Sequence, residues 1–213
     1  ASFALLRYVS GHIRLKPGSV INREQVPTLQ HPLRFEHLNT SDRHLLAGSN
    51  RKSTMRICLL ASGSKGNSLL VESGQTRLLI DAGLSARELR KRLALVGVDA
   101  ESLNALLITH EHTDHVRGLG PLVRQLGLPV YLQTDLAGKL PDVGKPECVR
   151  ECAAGEELIL NDLTVRPFAI THDALAPVGF SFSGEQGKVG MATDLGIATR
   201  LVADCLQGCR ALV

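Results

Sequence analysis

The chain has 213 residues, enough for one α/β domain with a sizeable core. Its formal charge of +3 is uneven: residues 1–54 hold eight Lys/Arg against three Asp/Glu (+5), and residues 55–213 hold sixteen against eighteen (−2), so basicity is no argument that the domain binds nucleic acid. No run of about 18 apolar residues occurs, which argues against a membrane-crossing helix. Arg7 cuts short the apolar Phe3–Leu6 that a secretory signal would extend, and an odd five cysteines fit a reducing cytoplasm better than a disulfide framework.

Prolines at 17, 27 and 32 and the lack of any sustained period make residues 1–54 an irregular N-terminal extension. At Met55 the texture changes, and the domain is set at 55–213. Met55 is expected to be the natural start, with residues 1–54 a translated upstream stretch or a poorly ordered leader. A strand over 56–61 leads through the glycine-rich Ser62–Ser68 into a second strand, 69–72. A phosphate loop would need a helix after those glycines, so a tight polar hairpin is preferred. A third strand, Thr76–Ile80, ends on Asp81-Ala-Gly-Leu-Ser85, where Ser85 can cap a helix over about 86–96. That helix carries Leu89, Leu93 and Val96 on one face and Arg87, Arg90, Lys91 and Arg92 on the others. The basic run could follow a phosphate backbone, but a solvated face is favoured.

The apolar Leu103–Thr109 reads as a buried strand, and Leu119–Leu126 as a helix. Between them lies His110-Glu-His-Thr-Asp-His115, three imidazoles and two carboxylates in six residues. Imidazole nitrogens and carboxylate oxygens are what borderline divalent ions such as zinc or manganese prefer. A polar loop is the plain alternative, since one histidine alone is more often structural. Three of the four histidines after residue 54 share this loop, however, and the count favours a metal site at a strand's carboxyl end. The helical His-Glu-x-x-His pattern is excluded by spacing.

Further on, 128–132 reads as a strand, Thr134 caps a short helix to about Leu140, and a hairpin turns at Asn161-Asp162. His172-Asp173 follows a strand end, as does Asp194 after a strand over 188–192. A last helix is expected over about 197–207, and Arg210–Val213 looks like the opening of another strand, so the chain is expected to be a fragment. Cys148, Cys152, Cys205 and Cys209 lack the two-residue spacing of zinc knuckles and are taken as structural.

The set His110-x-His112-x-Asp114-His115, His172 and Asp194 resembles the metallo-β-lactamase superfamily. Ser62–Ser68, Asp81–Ser85, His110–His115, Thr171–Ala174 with Pro177–Phe180, and Thr193–Gly196 together resemble its YycJ/WalJ group. The resemblance runs from Met55 to the C-terminus. It implies a four-layer αβ/βα sandwich, incomplete at its C-terminal end, around two divalent metal ions, zinc or manganese. By the family's pattern His110, His112 and His172 hold one ion, Asp114 and His115 the second, and Asp194 bridges both, while Asp81 supports the ligand loop from behind.

The activity implied is that of a hydrolase cleaving phosphodiesters of nucleic acid, DNA exonuclease in type, with a metal-bridging hydroxide as nucleophile and Asp114 orienting it or taking its proton. A hydrolase of a small ester, thioester or lactone is the first alternative, because one fold hosts many chemistries. A non-catalytic domain in which metals serve only folding is the second. The family supplies a further histidine to the second ion, and none follows His172 here, so weak binding at that position is expected.

Overall fold

A computed structural model describes residues 55–213 and, in the first 54, only the backbone of four short strands: Tyr8–Val9 (β1), His12–Ile13 (β2), Ser19–Val20 (β3) and Leu33–Phe35 (β4). The rest of the expected irregular extension lies outside the described residues.

The first half of the domain builds a mixed sheet. Strands Arg56–Ala61 (β5), Ser68–Ser73 (β6) and Thr76–Ile80 (β7) run antiparallel to one another. Ala105–Leu107 (β8), Val130–Gln133 (β9) and Val149–Cys152 (β10) then add in parallel. Every residue of β6 is buried, as covering both faces of a sheet requires. The parallel crossovers carry helices Ala86–Leu95 (α1), Thr113–Val116 (α2) and Leu119–Leu126 (α3). Ser85 caps α1 by accepting from Glu88 N, and Leu89 and Leu93 are its buried stripe. Gly127 ends α3 in the left-handed region that its missing Cβ permits.

The second half builds another sheet, from Leu158–Leu160 (β11), Leu163–Ala169 (β12), Val178–Gly184 (β13), Gly187–Met191 (β14) and Cys209–Leu212 (β15). Helix Arg200–Leu206 (α4) packs Val202 against Phe168 and Ile170 on its outer side. One apolar core lies between α1, α3 and the first sheet, and includes Leu60, Leu79, Leu89 and Leu122. A second lies between the sheets, where Ile57, Val71 and Leu107 meet Val165, Phe180 and Phe182. The layers therefore run helix, sheet, sheet, helix, as the family resemblance implied.

Two clamps join the sheets at opposite ends. Val178 N donates to Thr109 O at 3.0 Å, binding the start of β13 to the end of β8. In the turn between β11 and β12, the Asp162 carboxylate accepts from Ser73 Oγ (2.5 Å) and from Thr76 Oγ1, which flank the turn between β6 and β7.

Several expectations need adjustment. The strand β10 was not expected, because only its flanking Val149 and Cys152 are apolar while Arg150 and Glu151 are exposed. The helix expected from Thr134 is a single 3-10 turn, Thr134–Leu136, with Gly138 at φ +73° soon after. The last helix starts at Arg200 rather than 197, because Thr199 caps it and Ile197 N is bonded to Thr171 Oγ1 at 2.7 Å.

Candidate metal centre

The loop after β8 carries His110 and His112 and enters α2 with Asp114 and His115. His172 comes from the loop between β12 and β13, and Asp194 from the one after β14. Both sheets thus deliver side chains to one point. The loops hold each other: Leu175 N donates to Glu111 Oε1 (2.9 Å), and Gly196 N donates to Thr171 O (2.8 Å).

Two donor groups form there, His110 with His112 and His172, and His110 with His115 and Asp194, each with its ligand atoms within 4.8 Å of one another. His172 Nε2 lies 3.2 Å from His112 Nδ1, and His115 Nε2 lies 3.1 Å from Asp194 Oδ2. Asp114 belongs to neither group, although its Oδ2 is 3.7 Å from His115 Nε2. His110 and His115 are buried, whereas Asp114 and Asp194 keep about a third of their side-chain surface exposed and form the mouth.

Each of three rings is turned by a partner on its far nitrogen. Asp81 Oδ2 lies 2.7 Å from His115 Nδ1, Thr109 Oγ1 lies 2.9 Å from His110 Nδ1, and Asp173 Oδ1 lies 3.0 Å from His172 Nδ1. Asp81 also accepts from Thr109 N and Thr109 Oγ1, both at 2.9 Å, and is wholly buried at φ +59°. Such outer partners fix the tautomer and aim the other nitrogen inward. Thr109 was not singled out in the sequence, and only its place directly before His110 signals it.

The cluster fits a divalent cation. His110 Nε2 is buried without a hydrogen-bond partner, and an orphaned buried nitrogen is costly unless a ligand takes it up. Burial, then the charge of neighbouring His115, brings the His110 pKa down to about 4, so this ring is neutral and able to ligate. Burial also opposes charge on His115, but hydrogen bonds to Asp194 and Asp81 outweigh it and raise its pKa to about 10. The hydrogen bond from His115 holds Asp194 below the usual carboxylate range. Because Thr109 occupies His110 Nδ1, only one nitrogen of that ring is open, and only one of the two donor groups can draw on it.

The segment Ser62–Ser68 is a hairpin connection, as expected, but it is not idle. Asn67 Nδ2 lies 3.0 Å from both Asp114 Oδ2 and His115 Nε2. Asn67 Oδ1 accepts from Gly63 N (2.9 Å) and Asn67 N donates to Asp114 O (2.7 Å), so the loop is laced to the donor loop. Nothing in the local pattern distinguishes Asn67 from an ordinary turn residue. The close approach also explains Gly83, where a Cβ would lie 1.7 Å from Asp114 O and 2.4 Å from Asn67 N.

Fold and cluster define an α/β domain of two sheets closed around a histidine and carboxylate donor set. Residues 61–151 match the Metallo-beta-lactamase superfamily, and the chain carries a domain of that superfamily. It is 32% identical over 154 residues to Exodeoxyribonuclease WalJ of Streptococcus pneumoniae serotype 2, covering 70% of this chain and 57% of that protein. It is 31% identical over 166 residues to Exodeoxyribonuclease YycJ of Bacillus anthracis, covering 75% and 61%. The chain therefore spans less than two thirds of the length of these relatives. Among solved structures, the metallo-beta-lactamase fold protein YhfI from Bacillus subtilis matches with a TM-score of 0.53 and 23% identity over 67% of this chain and 63% of that one. A metallo-β-lactamase of Cronobacter sakazakii matches with a TM-score of 0.56 and 17% identity, over 72% and 70%. These two likenesses concern the fold alone. Among the described residues no helix is long and apolar enough to cross a membrane.

Proposed function

We propose that this chain is the metal-dependent hydrolytic part of a nucleic-acid phosphodiesterase, exonuclease-like in type, working in the cytoplasm. The observation that carries it is the buried, unpartnered Nε2 of His110 at the centre of a cluster in which Asp81 aims the His115 ring and Asp173 the His172 ring. The names of the WalJ and YycJ relatives supply the substrate class. An odd count of five cysteines suits a reducing compartment.

On this reading His110, His112 and His172 hold one ion, His115 and Asp114 the second, and Asp194 is shared. All-nitrogen and oxygen donors suit zinc or manganese. Two bound divalent ions supply Lewis acidity toward phosphoryl oxygens and make water nucleophilic at neutral pH. The chain's own groups do the rest. Asp81 and Thr109 keep the inner rings in one tautomer, and Asn67 turns the Asp114 carboxylate by donating to Oδ2. Asp114, at the mouth and partly solvated, orients the attacking water and takes its proton. The domain itself comprises residues 55–213.

The test is degradation of an end-labelled DNA duplex by the full chain, with Asp114→Ala as the comparison and metal content measured on both. Loss of degradation in the variant supports the proposal. Turnover of bis-p-nitrophenyl phosphate without any nuclease activity would move the assignment to a small-ester hydrolase, and a metal-loaded chain inert toward both substrates would leave the metals a folding role.

A further inference from the structure

Among the described residues, Lys65, Arg87 and Arg117 are exposed cations with no hydrogen bond or ion pair. They come from three segments that meet beside the donor loop. Lys65 sits at the tip of the loop between β5 and β6, and a Cβ on the next residue, Gly66, would lie 2.7 Å from Gly83 O. Arg117 directly follows α2, and a Cβ on the next residue, Gly118, would lie 2.0 Å from Leu84 O. Arg87 stands in the first turn of α1, three residues after Leu84. Segment 83–87 is thus the common floor, and Gly83 abuts the backbone of Asp114.

The other arginines of α1 are withdrawn from this surface. Arg90 is paired with Glu101, and Arg92 is bound to Glu88 Oε1 (2.9 Å) and Leu60 O (2.6 Å). Asp142, next to Gly120 of α3, is taken by a two-pronged pair with Arg124 at 2.7 and 2.9 Å. Glu101, Glu88 and Asp142 are thus each bonded to another arginine, and Arg87 and Lys91 act on Glu88 only through longer-range attraction, which leaves their donors open. Exposed Lys91 prolongs the row, one helical turn beyond Arg87 and about 6 Å along the axis. Unmatched like charges repel, and a run of them beside a mouth lined with carboxylates implies a polyanionic partner.

We propose that Lys65, Arg87 and Arg117, continued by Lys91, form a cationic rim that tracks the phosphate backbone of a nucleic-acid strand leading into the metal centre. This rests on the phosphodiesterase assignment and goes further, because it says which side of the mouth the strand enters along. The rim is a composite of two loops and the first turns of α1, so the net charge of −2 over residues 55–213 conceals it.

The experiment compares three metal-loaded forms of the 213-residue chain: the parent, the triple variant K65Q/R87Q/R117Q, and the charge-matched control R150Q/R166Q/R210Q, whose arginines lie on β10, β12 and β15. Binding of a nuclease-resistant phosphorothioate single strand is followed by fluorescence anisotropy against salt, with metal content and melting temperature measured on each. A single strand contributes about 0.7 to the salt slope per phosphate contact, so the rim triple should lose about 2 from its slope while the control stays near the parent. Equal slopes for the rim triple and the control would overturn the rim. If that happens while the parent still binds and cuts DNA, the phosphodiesterase assignment stands and only the rim is wrong. A parent that neither binds nor cuts a strand at any salt concentration removes both.

Discussion

Asp81 Oδ2 lies 2.7 Å from Nδ1 of His115, both side chains wholly out of contact with solvent, and Asp81 holds this position at φ +59°, where few non-glycine residues sit. Asparagine tolerates that backbone region, so Asp81→Asn keeps the shape and removes the charge. Metal affinity should fall about 10- to 100-fold, measured by competition with a chelator. An unchanged affinity would mean that Asp81 does not orient His115.

The same pair sets a pH dependence. In the metal-free chain the His115 pKa is raised from 6.5 to about 10. Its contribution to stability is complete below about pH 6.5 and is lost as pH rises through 10. Metal binding at Nε2 has to displace that proton, so affinity at this position should climb with pH across the window. His110, at about 4, has no proton to give at neutral pH. Calorimetric titrations at pH 7 in buffers of different ionisation enthalpy should show proton release with one equivalent of metal and not with the other. Identical heats in both buffers would contradict this.

Asn67→Ala takes the 3.0 Å donor from the Asp114 carboxylate. A hydrogen bond to a charged group is worth about 1.5–3 kcal/mol, so turnover should drop roughly 10- to 100-fold. The loop is also held by Asn67 N to Asp114 O, which the variant keeps, so metal content at His110, His112 and His172 should survive. Kinetics with bis-p-nitrophenyl phosphate beside metal analysis would separate the two effects.

Gly83→Ala puts a methyl 1.7 Å from Asp114 O, against backbone that cannot step aside. Overpacking of this kind costs about 1–3 kcal/mol. A lower urea midpoint is expected, together with weakened metal binding on the Asp114 side.

Asp162→Ala removes the clamp to Ser73 and Thr76. Since Asp162 is exposed, the loss should be about 1 kcal/mol. Burial works against its charge, but the two hydroxyls hold its pKa below 3.8, so the contribution is present above that value and fades as pH falls further. In urea titrations the gap between parent and variant should be smaller at pH 3 than at pH 7.

The donor loop, His172, Asp194 and Asp81 were legible because each is a polar residue at the end of an apolar strand, a pattern that local sequence carries. Asn67 and Thr109 were not, since their roles depend on which loops the fold brings together. The basic face of α1 shows the limit from the other side. Its four cations look alike in sequence, and only the positions of Glu88, Glu101 and Leu60 O separate Arg90 and Arg92 from Arg87 and Lys91. The β10 strand was missed because its exposed middle residues mask the pairing with β9.

The contributions of the two sheets to the centre also impose an order in time. A chain leaving the ribosome presents Asp81 and His110 to His115 early, and these can take up their hydrogen bonds within the first sheet. His172 appears about 60 residues later, and Asp194 after two more strands of the second sheet. Once β12 and the loop after it have been made, His110, His112 and His172 can meet, whereas the triad of His110, His115 and Asp194 has to wait until β13 and β14 have followed, so one half of the centre can form well ahead of the other.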